Sequence, residues 1–173
     1  MKGLTEQLSV YAAYHRDGTN KAIHAVFVPL ITWSAMGLLA FPVLAPVAGL
    51  QLTPALLVSA AVLAYYLALD LGLGIVLTIA FTVLLVTVTE VHAALPTLAF
   101  PFFAIVFAVS WVAQILGHSV WEHRKPALVD NVFQVLIAPL FIACELLFAL
   151  GLRKGLRHAV EEGLKAHLPG ASA

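Results

Sequence analysis

The stretch Ala22–Leu69, AIHAVFVPLITWSAMGLLAFPVLAPVAGLQLTPALLVSAAVLAYYLAL, contains no charged side chain apart from a titratable His24. One bilayer crossing takes about 20 residues, so a run of this length holds more than one passage and reads as part of a polytopic membrane protein. The remainder of the chain agrees. Its 173 residues are 62% hydrophobic and 10% charged, whereas soluble domains hold roughly 45–50% and 25%. An ordinary soluble globule is excluded. Nine basic and nine acidic residues cancel, leaving no field to hold a phosphate backbone, so nucleic acid is not an expected partner. The lone cysteine, Cys144, stands in an apolar run and reads as a small buried hydrophobe. The first twenty residues include Glu6, Arg16 and Asp17 and lack the apolar core of a cleaved leader, so the first span is expected to persist in the mature protein.

Uncharged runs and their breakers place span one near Ala25–Leu44, closed by Pro42, Pro46 and Gly49, and span two near Pro54–Leu69. After a tight return at Asp70, Gly72 and Gly74, span three runs near Ile75–Thr89 and ends at Glu90 and His92. Span four runs near Pro96–Gly117. A further apolar stretch, Val132–Leu150, is broken by Pro139 and carries Glu145, and it can be a kinked crossing, a re-entrant hairpin or a buried helix. The expected fold class is all-α, a polytopic membrane helix bundle of four spans with this fifth segment and amphipathic terminal helices. It forms one integral-membrane domain over residues 1–173: an N-terminal amphipathic helix and histidine motif (1–24), the spans (25–117), a second histidine motif (114–134), the fifth segment (132–150) and an amphipathic tail (151–168).

Every Lys and Arg lies at or before Lys21 or at or after Arg124, so the positive-inside rule places the N-terminus in the cytoplasm. Four crossings return the chain to that side. Leu4, Leu8, Tyr11 and His15 share one helical face, which aims His15 where the apolar stripe points. In the tail, Leu152, Leu156, Val160 and Leu164 form one stripe and Arg153, Arg157, Glu161 and Lys165 another, the pattern of an interfacial anchor with a Glu161–Lys165 pair. His158 and His167 fall in that tail and are expected in solvent.

Polar side chains are rare here, and each one placed in hydrocarbon needs a partner, so their distribution carries the functional signal. Before span one stands Tyr14-His15-Arg16-Asp17-Gly18-Thr19-Asn20-Lys21-Ala22-Ile23-His24. Asp17-Gly18 supplies a turn and Asn20 a helix cap. On one continuous helix His15 and His24 face opposite ways; a break at the turn lets both aim at one point. At the end of span four, Gln114, His118 and Glu122 recur every four residues on one face, with Gly117 permitting close helix approach. His123 joins them only if the helix ends or distorts. Asp130 or Asn131 can cap the next segment. By parity these groups share one membrane boundary. Imidazoles with a carboxylate and an open position suit non-haem Fe(II), while histidines at a boundary can also simply bond backbone or headgroups. Glu90 and His92 belong on the opposite side, Asp70 returns to the side of the histidines and is either a cap or turn residue or a further ligand, and Glu145 is an acid or a partner for a donor. Trp33 and Trp111 are packing residues and Trp121 belongs to an interfacial belt. Hydrolase-elbow, P-loop, zincin and dinucleotide-fold signatures are absent, as is an internal repeat.

Two segments carry a resemblance: Tyr14-His15-Arg16 with Asn20, Ile23-His24 and Val28-Pro29, and Gln114-Ile115-Leu116-Gly117-His118 with Glu122 and Pro126-Ala127-Leu128-Val129-Asp130-Asn131. Together they resemble the signatures of the 2-hydroxy fatty acid dioxygenase family. The resemblance implies an Fe(2+) enzyme that uses molecular oxygen to convert a long-chain 2-hydroxy fatty acid to carbon dioxide and an acid one carbon shorter. It implies His15, His24 and His118 as metal ligands. His123 is a further metal candidate by position. Glu122, Gln114 and Asn20 are the candidates for a catalytic part, orienting ligands or reacting oxygen, and Arg16, Arg124 or Lys125 for steering the substrate carboxylate. The expected site faces the cytoplasm, in the plasma membrane of a bacterium or the endoplasmic reticulum of a eukaryote, with membrane lipid as surroundings. Rival readings are a haem protein and a non-enzymatic lipid-binding protein.

Overall fold

The computed structural model describes residues 3–47, 50–123 and 131–166. Helix α1 covers Leu4–Tyr14, α2 Gly18–Leu39, α3 Pro54–Leu69, α4 Leu71–Ala94, α5 Ala99–Gly117, α6 Gln134–Ala149 and α7 Lys154–Lys165; a wider turn over His118–Glu122 extends α5. The helical class holds, with one addition. Strands β1 (Ala45–Val47) and β2 (Leu50–Leu52) pair antiparallel, Ala45 opposite Leu52, where the sequence suggested only a cluster of breakers.

Among the described residues three helices are long and apolar enough to cross a bilayer: Gly18–Leu39, Leu71–Ala94 and Ala99–Glu122, of 22, 24 and 24 residues. At about 1.5 Å per residue each exceeds the roughly 30 Å hydrocarbon core. Helices α3 and α6, at 16 residues each, reach only about 24 Å. The α3 bounds are those expected, and the helix is apolar but shorter than the other three. Span one is displaced from its expected place. It starts seven residues early because Asp17 caps it, and stops at Leu39 because Pro42 disfavours helix at the residue before it. Span three runs past Glu90 and His92 to Ala94, since polar residues mark the end of hydrocarbon and not of the helix. Large apolar side chains face outward, among them Ile79, Ile105, Val109, Val112, Ile115 and Leu116, while Gln114 and His118 on the same helix face inward. An exposed apolar surface this extensive is compatible with an integral membrane bundle.

The chain gathers into two compact units, residues 27–112 and residues 1–26 with 113–173. In the first, Asp70 alone joins α3 to α4. Its N–H donates to the Tyr66 carbonyl and its carboxylate accepts from Leu73 N–H at 2.9 Å, which settles Asp70 as a capping residue. A side chain at Gly74 would meet the Leu67 backbone at 2.7 Å, so the tight hairpin needs glycine there. Trp33 is a packing residue, as expected: its indole donates to Thr87 Oγ1 at 2.9 Å and its ring meets Phe102 and Phe103. His92 pairs with the Gly37 carbonyl at 3.0 Å.

In the second unit α1 lies against α6 and α7. Ser9 Oγ donates to the Val160 carbonyl at 3.1 Å, and Gly163 leaves room for Ser9 that a Cβ would take. The tail therefore covers its apolar stripe with α1 and is not only a membrane-surface anchor. Leu152 and Arg153 precede α7, and its ion pairs are Arg157–Glu161 at 2.8 Å and Lys165–Glu162 at 2.6 Å, in place of the expected Glu161–Lys165. His158 is exposed; His167 lies outside the described residues. Helix α6 is continuous through Pro139 and buries Ile137, Leu140, Phe141 and Cys144 on one face. Asn131 does not cap it: its Oδ1 accepts from Phe133 N–H at 2.9 Å in a turn before the helix, whose N-cap Phe133 has no side-chain cap bond, and Asp130 lies outside the described residues.

Candidate metal centre

Three elements deliver one histidine each. His15 ends α1, its N–H bonded to the Ala12 carbonyl; its ring lies flat on Tyr11, with centroids 4.0 Å apart and planes 7° from parallel. His24 stands one turn after Asn20 on α2, and His118 opens the wide turn at the end of α5. The break at Asp17-Gly18 reverses the chain so that the first two rings converge. His15, His24 and His118 are 2%, 4% and 2% exposed, and one ring nitrogen from each lies within 4.8 Å of the others.

Hydrogen bonding fixes which nitrogens face inward. His15 Nδ1 donates to the Tyr11 carbonyl at 2.7 Å and His24 Nδ1 to the Asn20 carbonyl at 2.9 Å. A carbonyl only accepts, so each Nδ1 carries the proton and each neutral ring presents a lone pair at Nε2. Those two Nε2 atoms stand 3.0 Å apart. Burial first, and then His24, pushes the His15 pKa down to about 2, so this ring is neutral at any physiological pH. Two facing lone pairs repel, and a cation between them relieves the conflict. A third imidazole at the same spot, with Nδ1 of His118 buried and unpartnered among the described residues, suits a metal ion better than an extra proton. Nε2 atoms 3.0 Å apart would both be within reach of a single ion. Backbone carbonyls on the outer nitrogens hold both rings in the tautomer that ligation requires. The residues present fit a metal ion.

The surrounding groups hold this geometry. Glu122 Oε1 accepts from the backbone N–H of Arg16 at 2.7 Å and of Asp17 at 2.8 Å, and faces Asn20 Nδ2 at 3.4 Å. It clasps the reversal between α1 and α2. It reaches there because the helix widens: His123 N–H bonds to the His118 carbonyl, a five-residue step in place of four. His123 itself adopts a left-handed backbone, φ 50°, and is exposed, outside the group of three. Asp17 caps α2 by accepting from Thr19 and Asn20 N–H at 2.7 and 3.0 Å. Asn20 is thus not the cap but a residue of the first turn, fully buried, with Oδ1 against Gly117, where any Cβ would collide with it. Gln114 is 5% exposed.

Lys21 pairs with Glu145 at 3.1 Å and lies 5.8 Å over the Phe141 ring, which answers what Glu145 does in an apolar stretch. Arg16 is exposed, and Arg124 and Lys125 lie outside the described residues. The stacking of Tyr11 on His15 was missed from sequence, although the four-residue spacing was its signal.

No solved structure matches the chain. It is 33% identical over 163 residues, 94% of its own length and 90% of the relative's, to the 2-hydroxy-palmitic acid dioxygenase MPO1 of Saccharomyces cerevisiae. The profile of the 2-hydroxy-palmitic acid dioxygenase Mpo1-like family matches residues 1–150. With both histidine segments inside that match, the chain belongs to the Mpo1-like family.

Proposed function

We propose that the protein is a membrane dioxygenase in which His15, His24 and His118 hold Fe(II) and a long-chain 2-hydroxy fatty acid is shortened by one carbon. The observation that carries this reading is the pair of buried Nε2 lone pairs at 3.0 Å beside a third imidazole. The reaction R–CH(OH)–COOH + O2 → R–COOH + CO2 + H2O is a four-electron oxidation, which one dioxygen completes without an external reductant. When bound, Fe(II) supplies oxygen activation and a Lewis-acidic anchor for the hydroxy acid.

The chain's own residues prepare the site. Tyr11 and Asn20 carbonyls orient two imidazoles, and Glu122 holds the reversal that brings them together. Burial excludes bulk water from all three rings. The outward apolar faces of α4 and α5 keep the acyl chain's source, the bilayer, in contact with the protein. We place the N-terminus and the histidines at the cytoplasmic boundary on the Lys/Arg distribution. His123 stands apart as an exposed residue and is not proposed as a ligand. A haem would need two imidazoles facing each other across a macrocycle, and the 3.0 Å between His15 Nε2 and His24 Nε2 leaves no room for one between those two rings.

Incubation of detergent-purified, Fe(II)-loaded protein with 2-hydroxy-palmitic acid and oxygen tests the reading. The expected products are the acid one carbon shorter and carbon dioxide, in equal amounts. Release of a 2-oxo acid with no carbon dioxide would overturn it.

A further inference from the structure

Four buried side-chain atoms lack a hydrogen-bond partner among the described residues: Asn20 Oδ1, Gln114 Nε2, His118 Nδ1 and Gln134 Oε1. Asn20 Oδ1 is wedged against Gly117 and His118 belongs to the cluster. Gln134 opens α6, which carries none of the three histidines, whereas Gln114 is on the helix that leads to His118. It is a neutral amide with an N–H2 donor, 95% buried, and burying such a donor unpaired costs enough that native structures seldom leave it so. It sits one turn before His118, so its side chain shares the face that carries the imidazole. Asn20 and Ile23 of α2 meet Gly117 of α5 beside it. From that crossing α5 leads back into apolar sequence. Gln114 therefore lies about 6 Å further into the hydrocarbon layer than His118.

Resting on the function proposed above, the depth of this donor identifies what satisfies it. A 2-hydroxy acid held at the three histidines presents its carboxylate and hydroxyl to the centre, and its acyl chain leaves from the carbon that bears the hydroxyl. On the hydrocarbon side of the cluster, the oxygen met first is the 2-hydroxyl. We propose that Gln114 Nε2 donates to the 2-hydroxyl oxygen of the substrate and is a specificity-determining residue that selects 2-hydroxy acids over unsubstituted fatty acids. A site built around a substrate hydroxyl rejects the analogue lacking it, because its own polar group is then left unpaired.

The test uses full-length protein in detergent loaded with Co(II), so that binding is read without turnover. Calorimetry gives the affinity for 2-hydroxy-palmitic acid and for palmitic acid, in wild type and in Gln114→Leu, with the cobalt absorption spectrum reporting an intact cluster. The expected result is a preference for the hydroxy acid that falls about tenfold in Gln114→Leu through weaker hydroxy-acid binding, with palmitic acid unchanged. An unchanged preference, or equal loss for both acids, would overturn the inference while leaving the metal site standing. If Gln114→Leu loses the cobalt spectrum, Gln114→Met repeats the measurement; loss in both would overturn it by making Gln114 a packing residue. A wild type that takes up no Co(II) would instead strike the proposed function itself.

Discussion

Replacing Glu122 by alanine removes the carboxylate that clasps the α1–α2 reversal without touching any of the three histidines. Its Oε1 accepts two backbone N–H bonds at 2.7 and 2.8 Å, both short and charge-assisted. Bonds to a charged group contribute roughly 1.5–3 kcal/mol each when buried. Arg16 is exposed and Glu122 half-buried, so water replaces much of that, leaving about 1–3 kcal/mol for the pair. Because His15 is delivered by this reversal, the loss appears as weaker metal binding, about 5- to 150-fold. Anaerobic Fe(II) or Co(II) titration of purified protein measures it. Glu122→Gln retains an acceptor oxygen without its charge and should fall between wild type and alanine. Wild-type affinity in Glu122→Ala would refute the clasp. Complete loss in Glu122→Gln, matching His118→Ala, would refute a positioning role in favour of direct ligation.

Three further experiments probe the frame. Gly117→Val drives a side chain into Asn20 and Ile23; it should lower the melting temperature and abolish metal uptake together, and normal uptake would show that α2 and α5 have slack. Asp70→Ala removes the cap on α4 and should cost about 1 kcal/mol in thermal stability while leaving metal content unchanged. A double-mutant cycle on Lys21→Met and Glu145→Gln should return a coupling of at most about 1 kcal/mol, as both side chains are more than a third exposed; a larger value would mean the pair is shielded by lipid.

The membrane class and the break at Asp17-Gly18 were legible because each rests on local pattern, an uncharged run and a turn dipeptide; the turn allowed His15 and His24 to converge, and the parity of the spans put His118 on the same boundary. What escaped depends on contacts between distant segments. Asn20 has a capping side chain, but Asp17 sits one residue before the helix-starting Gly18 and wins the role. Glu122 shares a face with His118 on an ideal helix, which made it a plausible ligand; the widened turn gives it instead to the backbone of Arg16 and Asp17, over 100 residues away. His123 is turned out by its left-handed backbone. The tail's stripe reads as a membrane-surface anchor, and its packing against α1 shows only in the contact with Ser9 and the burial of Val160.

Metal analysis of detergent-purified protein after anaerobic Fe(II) loading, with His118→Ala prepared identically, tests the central claim most directly. A single iron bound per chain is expected in the wild type and none in the variant, which should keep the same helical circular dichroism. Equal iron in both proteins, or none in either, would contradict it.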